Sequence, residues 1–333
     1  MTIRLPYWNG DDPVGGMTIP DFFLPENSPA YDVYRDARHK PPLLVDLAFD
    51  GRERDVSNEI QKQCNLTTVY RDLVRNGTDS KSFFGGEYVA GDAPVANGAK
   101  SIGSVEAGTH TAVHRWVGDS TKPNNEDMGN FYSAGYDPVF YIHHSNVDRM
   151  WKLWKDLGIK GHKEPKDKDW LDASYVFYDE NQDLVRVYNK DCVKLDKLNY
   201  DYFVTKGEIA WRKSRPGHHL TRGQGANEIL LINGIRFNSD KFVKFDVFVN
   251  DNVEDGKLTT PCDPEYAGGF SQVPHNDKMK MLMTSAARFG LNEILEDTKT
   301  EGEEYALVTL VARAGCDDLT VADIKIELVP IED

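Results

Sequence analysis

The chain has 333 residues, 40% of them hydrophobic and 11% aromatic; that is enough apolar side chain for a packed core and too much length for one ordinary domain, which excludes both a disordered protein and a single small module. Its 39 Lys and Arg against 54 Asp and Glu leave a net charge of −15, a field that repels a phosphate backbone and sets nucleic acid aside as a partner. Nowhere do about 18 apolar residues run together, so no membrane span is expected, and Met1 to Pro6 reads as neither a signal peptide nor a transit segment.

From the N-terminus the sequence is loop-rich, with Gly/Pro/Asn clusters at 9–16, 85–98 and 122–130 and only short apolar pieces between them. The clearest helix begins near Asp137: this residue can cap, Pro138 suits a first turn, and Phe140, Val147, Met150, Trp151 and Trp154 recur before Gly158. Residues 1–211 are therefore expected to form a mainly α domain of helices and long loops. A basic, aperiodic stretch at 212–225, which includes His218 and His219, reads as a linker. Beyond it the pattern has period two. Val243, Phe245, Val247 and Val249 alternate with Lys244, Asp246, Phe248 and Asn250, and 304–313 and 321–329 behave similarly, which predicts an all-β sandwich or barrel over 226–333. Cys64, Cys192, Cys262 and Cys316 are far apart with no C-x-x-C and read as buried thiols. The N-x-T triplets at Asn65 and Asn76 have no signal peptide to accompany them and carry little weight.

Four of the nine histidines fall between positions 110 and 144. His110 and His114, spaced i, i+4, lie on one face of a helix, close enough to share a metal ion, although two solvated histidines have the same spacing. In the later helix, His143-His144-Ser145-Asn146-Val147-Asp148-Arg149 concentrates polar groups between Phe140 and Trp151. Burying them without mutual compensation costs several kcal/mol, so they form either an exposed face or a satisfied site, and the flanking aromatics favour burial. Three imidazoles from two helices, with no Cys and no carboxylate pair, suit copper or zinc. His39, in a polar stretch, and His162 and His275, among Lys and Asp, read as solvated.

The segments Gly108-Thr-His110-Thr-Ala-Val-His114-Arg-Trp-Val-Gly118, Gly129-Asn-Phe131-Tyr-Ser-Ala and Asp137-Pro-Val-Phe-Tyr-Ile-His143-His144-Ser-Asn-Val-Asp148-Arg149-Met-Trp resemble the second copper-binding region of plant polyphenol oxidases, type-3 copper proteins of the catechol oxidase and tyrosinase kind. Leu5-Pro-Tyr-Trp-Asn9, Asp169-Trp-Leu-Asp172, Tyr200-Asp-Tyr202 and Lys244-Phe-Asp-Val247 extend the resemblance over the chain. It implies a partial four-helix bundle followed by a β domain that shields the site. It also implies copper held by His110, His114 and His144, the second histidine of H-H-x-N-x-D-R, with His143 as the nearest alternative and Asp148 holding the outer nitrogen of His144. Glu106 matches a family carboxylate that orients a water, and Phe131 the aromatic gate over the second copper. Thr111 and Arg115 occupy positions linked in the family to the choice between monophenol and diphenol chemistry.

In the family the first copper region precedes the L-P-Y-W-N segment, at which this sequence begins, so one copper is expected here against two in the intact site. The implied function is oxidation of o-diphenols to o-quinones with dioxygen reduced to water. The alternative is an incompetent piece holding at most one copper and acting only through partner contacts. The implied partners are a small phenol and O2. Kinship points to the chloroplast thylakoid lumen, while the chain as written, with no transit peptide, is expected to stay where it is made. The Lys/Arg-rich linker predicts that limited trypsin treatment of a full-length form cuts first between Arg212 and Arg222, releases a β-rich piece and raises diphenol oxidation; a first cut inside either domain, or unchanged activity, contradicts the shielding role.

Overall fold

The computed structural model describes residues 4–86, 101–204, 207–214, 226–251, 260–275 and 281–331. Its first half is built on helices started by local side chains. Helix α1 (Asn58–Tyr70) is capped by Ser57, which accepts from the Ile60 N–H, and runs on into a π turn, Arg71–Arg75. Helix α2 (Ser80–Phe84) is capped by Asp79. A second π turn, Glu106–His110, leads into α3 (Thr111–Val117). Helix α4 (Val139–Asp156) is the long helix expected from Asp137 onward: the Asp137 carboxylate accepts the Val139 N–H at 2.8 Å and also takes the buried Arg35 guanidinium at 2.6 Å. Ile142, Met150, Leu153 and Trp154 turn inward at helical spacing. They share a core with Trp8 and Trp116, and Phe83 stacks on Trp154 at 4.5 Å. In this half, among the described residues, α1, α3 and α4 are the α-helices of seven residues or more, and the expected partial four-helix bundle is not confirmed by them. An exposed hairpin, β1 (Ser174–Tyr178) with β2 (Leu184–Tyr188), interrupts a domain expected to be helices and loops; Asp179 to Gln182 was a readable turn signal for it. No described helix is long and apolar enough to cross a membrane.

The second half is a sandwich of two three-stranded antiparallel sheets. Strands β3 (Ala226–Asn238), β6 (Leu282–Gly290) and β8 (Asp323–Pro330) form one in the order β6-β3-β8; β4 (Val243–Val249), β5 (Tyr266–Gln272) and β7 (Val308–Ala314) form the other in the order β5-β4-β7. Leu230 and Ile232 of one sheet and Phe245, Val247 and Phe270 of the other share one core. Among the described residues the sheets stay separate, so the sandwich stands and the closed barrel does not. The period-two pattern of β4 suggests one wet face, yet all seven of its residues are buried. Its polar face meets other protein: Lys244 donates to the Ala48 carbonyl at 3.3 Å and Asp246 pairs with Arg313 at 2.5 Å.

Docking of the two halves overturns one reading and agrees with another. Cys64 of α1 and Cys262 form a disulfide across 198 residues of sequence rather than remaining thiols, while Cys192 and Cys316 are free. Asn65 and Asn76 are 1% and 4% exposed with their amides engaged, so neither can serve as a glycosylation acceptor in the folded chain. Arg71 donates to the Pro261 carbonyl and lies 4.3 Å from the Tyr266 ring, and Arg75 donates to the Tyr266 carbonyl. Trp211 is fully buried within a 3-10 turn (Gly207–Lys213) that takes in the first two residues of the expected linker; residues 215–225, with His218 and His219, lie outside the described residues.

Asn76 makes the most specific polar contact between the halves, donating to Ala267 O at 2.9 Å and accepting from the Gly290 N–H at 3.0 Å. Asn76→Ala leaves two buried main-chain groups unpaired, each worth about 1–3 kcal/mol, and is expected to lower unfolding free energy in denaturant titrations by about 2–4 kcal/mol. A change below about 0.5 kcal/mol, the range of an ordinary surface substitution, would remove it from the account of docking.

Candidate metal centre

The π turn Glu106–His110 and helix α3 carry His110 and His114; helix α4 carries His143 and His144. A widened helical turn of this kind re-aims side chains and recurs at functional sites. Here Asp72, reaching from the other π turn, fixes it. Its carboxylate accepts the Thr109 N–H at 2.8 Å and fills the space beside Gly108, where an added Cβ would fall 2.1 Å from Asp72 Oδ2. Burial pushes the Asp72 carboxyl up to about 6, against the opposing pull of Arg71 and of the Thr109 N–H.

The four imidazoles converge. Ring centroids lie 4.6 Å apart for His110 and His114, 5.0 Å for His110 and His144, and 5.1 Å for His114 and His143. One ligand nitrogen each from His110, His114 and His143 falls within 4.8 Å of the others. The Nε2 atoms of His114 and His144 face each other at 3.2 Å. His114 Nδ1 donates to the Met128 carbonyl at 2.8 Å, which places the proton on that nitrogen and turns the Nε2 lone pair toward the cluster. His143 is 4% exposed and its Nε2 is buried without a hydrogen-bond partner. Burial is the first cause holding these rings neutral. His114 and His144 are pushed down to about 4, and His110 and His143 well below the ordinary histidine value, with repulsion among the rings adding at His110, His143 and His144.

These observations fit a metal ion. Two nitrogens bound at about 2.0–2.1 Å to one ion at a tetrahedral angle stand about 3.3 Å apart, close to the His114–His144 separation. Neutral imidazole is the ligating form. Outside the rings lies a cavity of about 450 Å³ lined by Phe83, Phe84, Val105, Glu106, His110, His144, Val147, Asp148 and Trp151. Glu106 lines this cavity as an exposed residue; desolvation at the cavity wall raises its carboxyl above the ordinary value against a main-chain hydrogen bond from Gly103.

Other expected site residues are placed differently. Asp148 does not hold His144 in the hydrogen bonds found; its Oδ2 accepts the hydroxyls of Tyr200 at 2.8 Å and Tyr202 at 2.6 Å. Phe131 is 55% exposed and stacks on His275 at 4.5 Å, while the ring lying against His144, at 4.1 Å, is Phe140. Arg115 points away from the cluster, its guanidinium 4.6 Å from the Phe242 ring; Thr111 Oγ1 donates to the Glu106 carbonyl at 2.6 Å. His39 is buried rather than solvated, stacked on Trp116 at 4.5 Å, its Nε2 3.1 Å from Glu53. His162 is also buried, with Nδ1 donating to the Trp154 carbonyl at 2.8 Å and the ring stacked on Trp154. Sequence reasoning missed Asp72 and Asp11. Asp72 reads as one charge in a charged helix end, and Asp11 as part of a loop; nothing local signals burial of either.

Three family models match in succession: the common central domain of tyrosinase over residues 1–157, the polyphenol oxidase middle domain over 164–217, and the chloroplastic polyphenol oxidase C-terminal domain over 208–328. The fold superposes on latent aurone synthase, a polyphenol oxidase, with TM-score 0.92 at 60% identity, covering 99% of this chain and 72% of that one. The chain belongs to the plant polyphenol oxidase family. Latent apple tyrosinase matches with TM-score 0.87 at 39% identity, over 98% of this chain and 77% of that one. Among its relatives, the chloroplastic polyphenol oxidase of Malus domestica is 40% identical and aureusidin synthase of Antirrhinum majus 38%; each match takes in 98% of this chain, and 62% and 65% of the respective relative. The chain thus spans about three fifths of the length of the curated relatives it matches. The family is one of copper oxidoreductases, so copper is the metal implied for the cluster.

The depressed histidines set a pH dependence. An unfolded histidine titrates near 6.5, whereas His114 and His144 stay neutral to about 4. Between these values the unfolded chain takes up protons that the folded site refuses, so their contribution to stability is present above about pH 6.5 and is lost as pH falls toward 4. Denaturant unfolding of the metal-free chain across this window is expected to show a steeper loss for the wild type than for His144→Gln. Parallel profiles would contradict the burial assigned to this ring.

Proposed function

We propose that the chain carries one half of a two-copper site that oxidises o-diphenols to o-quinones while dioxygen is reduced to water. The observation that carries this reading is the convergence of neutral imidazoles, buried or half-buried, from the π turn, α3 and α4 beside an aromatic-walled cavity. His110, His114 and His144 are proposed as the ligands. His110 and His144 border the cavity and His144 Nε2 faces His114 Nε2, whereas His143 lies deeper, against Trp8, Asp11 and Asn146. Bound copper would supply the electron transfer between phenol and dioxygen. The chain's own groups do the rest. Phe83, Phe84 and Trp151 give the phenol ring apolar walls. Glu106, its carboxyl raised, is placed to hold a water or to take the phenolic proton.

We further propose a chloroplast setting, in the thylakoid lumen. Supporting it are the word chloroplastic in the name of the Malus domestica relative and the Cys64–Cys262 disulfide, which calls for an oxidising compartment.

Titration with copper is expected to saturate at one ion per chain. His114→Ala and His144→Ala should each abolish that binding, while His143→Ala retains the stoichiometry. Where both ions are held, Glu106→Gln is expected to slow diphenol-dependent oxygen uptake about 10²-fold or more at unchanged copper content. Unchanged copper stoichiometry in His114→Ala overturns the ligand assignment, and unchanged oxygen uptake in Glu106→Gln removes the proton role.

A further inference from the structure

The sandwich is covered on one side and open on the other. Toward the helical half, Ser271 of β5 donates to the Ala107 carbonyl at 2.5 Å and the Ala286 carbonyl of β6 accepts the Ile102 N–H at 3.1 Å. At the far side, among the described residues, the sheets end in β7 and β8, each paired with a single strand. Register sets Ile324 beside Ile232, Ile326 beside Leu230 and Leu328 beside Glu228. Cross-strand neighbours share a face, and Leu230 and Ile232 belong to the sandwich core, so all three β8 side chains point inward. They are nevertheless 40%, 47% and 70% exposed. A strand with one unpaired edge and an uncovered apolar face is a template for another strand.

We propose that the strand completing this edge is β8 of a second copy of the chain, added antiparallel about a two-fold axis through Ile326. The sequence Ile324-Lys-Ile-Glu-Leu328 is self-complementary about that centre. Ile326 faces its own copy, Ile324 faces Leu328 of the partner subunit, and Lys325 faces Glu327 of the partner subunit, twice by symmetry. Lys325 and Glu327 already share a face within one chain, Nζ to Oε1 being 2.9 Å. Moving the axis by one residue sets Lys325 or Glu327 against its own copy, and a half-residue shift sets the apolar face against the charged one. Charge and apolarity thus select one register, and the result is a closed, isologous dimer rather than an open fibre.

Sedimentation of the full chain over about 1 to 100 µM is expected to show a reversible monomer–dimer equilibrium. Lys325→Glu alone and Glu327→Lys alone each place two like-charge pairs opposite one another and should weaken dimerisation about tenfold, while the double exchange Lys325→Glu/Glu327→Lys restores it. Ile326→Lys should leave a monomer. Thermal unfolding of every variant separates loss of fold from loss of association, and the double exchange, which keeps composition constant, is the decisive arm. A chain that stays monomeric, a dimer indifferent to the single exchanges, or a double exchange that fails to restore association overturns the proposal.

Discussion

The carboxylate of Asp72 anchors the turn at which the histidine cluster starts. It is buried, it grips the Thr109 N–H, and it occupies the volume that the bare Gly108 leaves open. One residue further along, the chain delivers His110. On the same π turn, Arg71 and Arg75 reach the other way, to the carbonyls of Pro261 and Tyr266 in the β half. A buried carboxylate flanked by buried guanidiniums is expensive to assemble and more expensive to leave incomplete. The group that orients the first histidine therefore sits within the same polar row that seats the β sandwich. Asn76, the next residue, and the Cys64–Cys262 disulfide close that row at either end of the helix.

Helix α4 uses the same economy. Of its polar residues, Asn146 and Arg149 are spent on Asp11, with Arg149 Nη1 3.0 Å from Asp11 Oδ1 and both side chains fully buried. Asp148 takes two tyrosine hydroxyls from the segment after the hairpin. The H-H-x-N-x-D-R run thus divides its labour, imidazoles toward the cluster and the remainder toward chain segments that would otherwise be loose. Burial without solvent keeps the imidazoles neutral, and neutral imidazoles are what a metal ion requires.

Much of this was legible in the sequence, for reasons that can be named. The period of β4 and the cap, proline and aromatic spacing of α4 are local signals, and local signals set local structure. His110, His114, His143 and His144 stood out because polar groups in an aromatic helix need partners, and the structure brings all four together. What stayed hidden is non-local. Burial of His39 against Trp116, pairing of Cys64 with Cys262 and the use of Asp72 and Asp11 all depend on segments far apart in sequence. The polar side of β4 looked like a solvent face because period two cannot distinguish water from a neighbouring domain. Asp148 and Phe131 were assigned roles by resemblance, and their actual contacts, Tyr200 with Tyr202 and His275, lie about 50 and about 140 residues downstream, beyond any local pattern.

The central claim is that the imidazoles of α3 and α4 form a metal centre, whereas the second acidic-histidine grouping, Asp36 with His39 and Glu53, is an ion-pair network already satisfied by Arg38. Anomalous diffraction at the copper edge from crystals of the chain equilibrated with one equivalent of copper tests it most directly. The account predicts a single strong peak among His110, His114 and His144. A peak at Asp36, His39 and Glu53, or none within bonding distance of the α3 and α4 imidazoles, would contradict it.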